Sequence, residues 1–363
     1  MNTASNKLAA VPVDKNSVRV AVNSVLEQYF LERIELASTM APAYADLWHT
    51  IKDLGLAGGK RLRPYMVMLA YKTFGGNEPD RMLPVAASWE LLHLCMLIHD
   101  DIIDNDLIRY GVPNIAGAYQ KRYNNLSISH ARKQHLATSA ALLAGDLAHS
   151  AAHEILITSN LPASDILTAQ KYLTAATFTV AGGELLDTEA SAYPLADSDT
   201  EAIAEYKTAN YSFVGPLCTG AALAGATPTA LGQLQQLGTS LGLAFQLTDD
   251  LLGVFGDEVI TGKSASGDIR EGKPTFMMQY AFEHANQPER QVLDNLVGNQ
   301  DLTDIQAENV RKILVRSGAR QATENRIDAL ATVCLNTIED IGIGETHKIG
   351  LRDLVTTATK RNR

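Results

Sequence analysis

Cysteine is scarce in this chain: Cys95, Cys218 and Cys334 are the only three among 363 residues. They lie far apart and show no CxxC spacing. That excludes a zinc ribbon or a stapled secreted scaffold and predicts free thiols in a reducing, cytoplasmic compartment. Aromatic residues make up only 6%, and alternating apolar and polar runs rich in β-branched residues are nearly absent, so a sheet-based architecture is not expected. Basic residues are not in excess either. With 41 acidic residues against 31 basic, the formal net charge is −10, which argues against a nucleic-acid partner held by bulk charge. Residues 1–15 are polar and lack the apolar core of a secretory signal, so they read as a flexible N-terminus. Thr208 to Thr248 carries no charged residue, but Pro216, Pro228, Gln233, Gln235, Gln236 and Gln246 interrupt it. A membrane span needs about 20 mostly apolar residues in one run. Two buried helices joined at Ala226-Thr227-Pro228 are expected instead, with no integral membrane segment.

What the chain has in abundance is helix signal. Long Ala- and Leu-rich blocks between short breaks predict an all-α protein, a single domain over 1–363 built of long helices around a central cavity. The expected helices include about 61–73, 82–105, 113–124, 130–158, 199–209, 211–225 and 228–254. Asp165 after Pro162, Ser198 with Glu201 three residues on, and Pro274 are expected to mark helix starts. The helix at 82–105 is apolar around its whole circumference, as a central buried helix is. Yet it ends in His99-Asp100-Asp101-Ile102-Ile103-Asp104. Burying that acidity without counter-charge is expensive, so this end is expected to open into a cavity that holds cations.

Asp100, Asp101 and Asp104 fall within one helical turn, where three carboxylates can converge on one patch. Clustered hard oxygen ligands suit Mg²⁺, which keeps waters and completes its shell with substrate phosphates. A second pair, Asp249-Asp250, ends another largely apolar helix. Gly58-Gly59-Lys60-Arg61-Leu62-Arg63-Pro64 sets three cations after a glycine break, and backbone N–H groups with basic side chains at a helix start make an anion site. Arg109 follows the first acidic cluster; Lys207, Lys263 and Lys273 lie near the second. Singly, these read as a solvated helix end, an exposed turn and surface lysines. Together they suggest a diphosphate held through bridging Mg²⁺ beside a hydrocarbon pocket.

These elements, in this order, resemble the trans-isoprenyl diphosphate synthases, or polyprenyl synthetase family. The matching residues are the DDxxD motif at Asp100 to Asp104, the GKxxRP element at Gly59 to Pro64, Glu90-Leu91-Leu92-His93, Lys207-Thr208, Gly242 to Asp250, Thr261-Gly262-Lys263 and Glu271-Gly272-Lys273. The resemblance implies a prenyltransferase that joins isopentenyl diphosphate to an allylic diphosphate, with about three Mg²⁺ ions and a homodimeric assembly. By the same resemblance Asp100 and Asp104 bind two ions with Asp101 in support, and Asp249 binds a third with Asp250 behind it. Arg109, Lys207 and Lys263 hold the allylic diphosphate, with Lys273 alongside; Lys60, Arg63 and His93 hold isopentenyl diphosphate; Thr208 and Gln246 place oxygens near the allylic cation. Cys95 and Met96, with Leu92 deeper, form the floor that limits chain length. Neither of the first two is aromatic, so geranylgeranyl diphosphate or a longer product is expected. The chain departs from the family pattern at Tyr110, where a second arginine usually stands, at Gly253, where the second motif usually ends in aspartate, and at Glu184, often glutamine. The rival readings are a terpene cyclase, which needs no second diphosphate site, and a non-catalytic subunit of a two-chain synthase.

Overall fold

A computed structural model describes residues 13–190, 192, 198–256 and 265–359. In chain order its helices are α1 Lys15–Met40, α2 Pro42–Leu56, α3 Leu62–Thr73, α4 Leu83–Ile103, α5 Ile115–Tyr123, α6 His130–Ile157, α7 Ala163–Ala190, α8 Thr200–Ala204, α9 Gly215–Leu223, α10 Pro228–Phe255, α11 Gly267–Glu271, α12 Phe276–His284, α13 Gln287–Leu296, α14 Asp304–Arg316, α15 Ala319–Asp340 and α16 Glu345–Thr359. A π-helical stretch, Glu205–Val214, joins α8 to α9, and a 3₁₀ turn, Pro79–Met82, precedes α4. The only strands among the described residues, β1 Ile108–Arg109 and β2 Val112–Pro113, form a two-residue hairpin. The fold is therefore all-α.

The chain divides into two compact units. One lies within Val11–Thr174 together with Cys218–Ala226; the other comprises Ala175–Leu217 and Thr227 onward. In the first, α4 is the axis. Trp89, Leu92 and Ile98 are essentially inaccessible, and helices α1, α3 and α6 pack against it. By length and composition α4 with its 3₁₀ lead-in is apolar enough to cross a membrane, but two thirds of it is buried inside the protein, as an apolar-all-round helix requires. In the second unit α10 is the axis, and Leu247, Leu251, Val254, Met277, Ile313 and Ile327 share its core.

Several helix boundaries differ from the sequence expectation. The expected break near 210 does not exist, because α8, the π stretch and α9 run on without interruption. Asp199, not Ser198, caps α8, its carboxylate accepting from the Ala202 N–H at 3.0 Å. α7 begins at Ala163, as the expected span of about 163–191 has it, but Asp165 lies in its first turn and does not open it. Thr275, not the helix turn at Pro274, starts α12, its hydroxyl accepting from the Met278 N–H. The joint at Ala226-Thr227-Pro228 is as expected: Thr227 caps α10 and Pro228 occupies its first turn.

Candidate active site

In the first unit the acidic end of α4 is built with little freedom. Asp100 and Asp101 occupy the last turn and Asp104 is the C-cap. Carboxylates at a helix C-terminus face the negative end of the helix dipole, an unfavourable placement without counter-charge. The hairpin supplies it. Tyr110 and Gly111 both have positive φ, 56° and 78°, the geometry that closes a two-residue hairpin. The turn carries Arg109 back onto the helix end, where its Nε donates to Asp101 Oδ1 at 2.8 Å and its Nη2 donates to the same oxygen and to Asp100 Oδ2 at 3.1 Å. Asp101 is buried, Asp100 half-buried and Asp104 exposed. Burial raises the Asp101 carboxyl from its ordinary value while Arg109 opposes that rise. Arg109 thus pairs with both Asp100 and Asp101, while Asp100 and Asp104 stand one turn apart at the helix end. Among the described residues no three His, Cys, Asp or Glu side chains form a closed metal cage. Two oxygen donors without a cage fit a hard divalent ion that takes most of its ligands from water and phosphate.

The basic loop precedes α3. Gly59 has φ 96° and Arg61 φ 48°, so the chain turns twice through the left-handed region before the helix begins. Lys60 is exposed and Arg63, in the first turn of α3, is half-buried. The middle cation, Arg61, is buried at 5% exposure and pairs with Glu90 at 2.7 Å. His93 lies one turn after Glu90 on α4. Burial, and then the charges of Arg63, Arg61 and Arg109, hold its pKa well below the ordinary range, so it is a neutral imidazole at neutral pH. Tyr110 packs its ring beneath Gly58, where a β-carbon would lie 3.5 Å from the ring. Deeper in α4, Cys95 and Leu92 are buried and Met96 half-buried, with Cys95 Sγ 3.8 Å from His99 Nδ1.

In the second unit, α7, the π stretch and α10 approach closely at glycines. A β-carbon on Gly183 would lie 2.2 Å from the Lys207 nitrogen, and one on Gly242 would lie 2.3 Å from the Ala209 Cα. The close packing sets Lys207 Nζ between Glu184 Oε1 at 3.0 Å and Asp187 Oδ2 at 2.6 Å. Thr208 Oγ1 donates to Gln246 Oε1 at 2.8 Å, and Gln246 Nε2 donates to Asp250 Oδ1 at 2.9 Å. Burial pushes the Asp250 carboxyl up to about 7, against the pull of Lys273. Burial also works against the charge of Lys273, but the carboxylates of Asp250, Asp268 and Asp187 outweigh it and raise that pKa. Lys207, Thr208, Gln246, Asp250 and Lys273 line one cavity of about 50 Å³, walled by Leu243, Leu247 and Phe276. Asp249, the exposed-side member of the pair, is half-buried.

Gly253 has a structural reason. A β-carbon there would lie 1.9 Å from Asp268 Oδ2, so the carboxylate of Asp268 fills the space a side chain at 253 would need. Lys263 lies outside the described residues. Asp187 and Asp268 were not singled out by the sequence. Asp187 was legible in principle, since it stands three residues after Glu184 in a helix of few charges; Asp268 was not, because its partner Gly253 is fifteen residues away across residues 257–264.

The polyprenyl synthetase family model matches residues 46–314 of the chain. A geranylgeranyl diphosphate synthase of Sulfolobus acidocaldarius is 30% identical over 285 residues, covering 76% of this chain and 81% of its own length. A geranylfarnesyl diphosphate synthase of Aeropyrum pernix is 33% identical over 289 residues, covering 77% and 81%. The crystal structure of a geranylgeranyl pyrophosphate synthase from Corynebacterium glutamicum, complexed with isoprenyl diphosphate and magnesium, matches with a TM-score of 0.89 at 30% identity, over 96% of this chain and 100% of that one. This chain belongs to the polyprenyl synthetase family and is a trans-isoprenyl diphosphate synthase.

Proposed function

We propose that this prenyl diphosphate synthase condenses isopentenyl diphosphate with an allylic diphosphate to give geranylgeranyl diphosphate or a longer product, and that the acidic end of α4 is where the allylic diphosphate is engaged. The observation that carries the reading is the pairing of Asp100 and Asp104 at the negative end of an apolar helix with Arg109 folded onto it. Asp100 and Asp104, and Asp249 in the second unit, are the oxygen donors that would hold Mg²⁺. When bound, it neutralises the leaving diphosphate, which is the charge that develops as the allylic carbon–oxygen bond breaks.

The chain's own cations do the rest. Arg109, Lys207 and Lys273 hold diphosphate oxygens, and with Lys263 they compensate negative charge as the allylic cation forms. Lys60, Arg63 and the neutral His93 hold isopentenyl diphosphate, whose double bond attacks the cation. The resulting tertiary cation then loses a proton to the departing diphosphate. Thr208 and Gln246, already linked to each other, offer oxygens to the allylic cation, while Leu243, Leu247 and Phe276 keep water away from it. No side-chain nucleophile is needed. The three free, buried cysteines support a reducing, cytoplasmic setting.

Cys95 and Met96 set the product length in this reading: the names of the relatives run from farnesyl through geranylgeranyl to geranylfarnesyl diphosphate synthase, and the lack of an aromatic side chain at either position favours C20 or longer. The test is to size the dephosphorylated products from C5, C10 and C15 allylic starters, with the Cys95→Phe variant in parallel. Wild type should end at one length, C20 or more, and the variant at a shorter one. A C15 product would remove the length assignment, and an unchanged variant would remove Cys95 from the floor.

A further inference from the structure

The most deeply buried cation of the basic loop is not one that could touch a substrate. Arg61 is held in a left-handed backbone conformation, φ 48°, that residues with a β-carbon rarely adopt and that persists only where the surroundings fix it. Each of its three guanidinium nitrogens donates a hydrogen bond. Nε donates to Asn23 Oδ1, Nη1 to Glu90 Oε1 and Nη2 to the Gly55 carbonyl, each at 2.7 Å. One side chain thus ties together α1, the last turn of α2 and α4. The planar fork of arginine can meet three acceptors in three directions; the compact ammonium of lysine cannot reproduce that geometry.

The placement of this knot has a consequence for the loop around it. Lys60 is the preceding residue and Arg63 stands two residues on, so the backbone that Arg61 fixes is the backbone that carries both. Glu90, its acidic partner, lies one turn before His93 on α4. A buried ion pair is costly to desolvate and is weak evidence for stability by itself. It does fix geometry, because neither partner can move without leaving the other's charge unpaired.

We infer that Arg61, locked by Glu90, is the positioning residue for the homoallylic diphosphate: it sets the backbone of residues 58–63 so that Lys60 and Arg63 face the same ligand as His93. The inference rests on the proposed function. It predicts a selective defect, because the Asp100 and Asp101 carboxylates at the acidic end of α4 accept hydrogen bonds from Arg109 and not from Arg61.

The experiment uses the full chain and two variants, Arg61→Lys and Glu90→Gln, with Michaelis constants measured separately for isopentenyl diphosphate and for the allylic diphosphate, and a thermal melt of each protein. Arg61→Lys keeps the charge and loses the fork. Its KM for isopentenyl diphosphate should rise on the order of tenfold, with kcat at saturation within about threefold and the allylic KM unchanged, the pattern of lost ground-state placement. Glu90→Gln keeps an acceptor oxygen and should show a smaller rise for the same substrate. If Arg61→Lys does not fold, Glu90→Gln decides by itself. An unchanged KM for isopentenyl diphosphate, or equal rises for both substrates, overturns the inference and leaves Arg61 a structural strut. Wild-type protein that neither binds nor consumes isopentenyl diphosphate removes the proposed function and this inference together, whereas an active wild type with unselective variants removes the inference alone.

Discussion

Single residues explain most of how the site halves are charged. Asp250 is the clearest case. Its carboxyl stands at about 7 in the folded protein, raised from 3.8 chiefly by burial. The native state therefore keeps this proton where the unfolded chain has lost it. The stability tied to it is full below about pH 4 and is lost as pH rises through 7. Asp250→Asn cannot titrate, so in metal-free melts the wild type should lose ground to the variant over that window; a melting difference independent of pH would contradict the assignment. The sequence offered Asp250 only as the second half of an acid pair. Its protonation was invisible because it comes from burial that only the fold provides, against the opposing pull of Lys273, more than twenty residues later, and of Gln246, one turn earlier. His93 is similar: the sequence names it as a ligand, but its neutrality comes first from burial and then from three arginines that only the fold assembles.

Whole elements were legible where periodicity decides and illegible where close approach does. Helices α4 and α10 could be read from unbroken apolar runs, and the joint at Thr227-Pro228 from its capping chemistry. The hairpin of Ile108 to Pro113 was missed because four paired residues give no alternation to see. The π stretch was missed, and a break was expected in its place, because nothing local marks it; its backbone sits against Gly183 and Gly242, on other helices. Gly183→Ala should therefore cost at least ~1–3 kcal/mol, the usual penalty for overpacking, since the added carbon meets backbone. Gly182→Ala, on the same helix with nothing within 4 Å, should be neutral or gain up to ~1 kcal/mol from better helix propensity. Denaturant melts of the pair check this directly, and equal effects at the two positions would show that the close approach is absent in solution.

At the scale of the whole molecule, composition excluded more than it identified: a net charge of −10 and three isolated cysteines removed partners and scaffolds, while the ordered motifs supplied the family. What composition could not show is assembly. Phe178, at 86% exposure, and Leu185, at 59%, stand seven residues apart on one face of α7, which is where the homodimer that the family resemblance implies is to be tested first. Phe178→Glu should convert a dimer to a monomer by light scattering; a wild type already monomeric at micromolar concentration would contradict this. The central claim is that divalent cations, held at Asp100 and Asp104 in one unit and at Asp249 in the other, let this chain ionise an allylic diphosphate toward isopentenyl diphosphate. The most direct measurement is release of inorganic diphosphate from the two substrates as Mg²⁺ is titrated into chelator-treated protein. The account predicts no release without the metal, a rise that saturates with Mg²⁺, and loss of that rise in Asp100→Asn. Release that is undiminished by chelator, or absent from folded protein at saturating Mg²⁺, would contradict it.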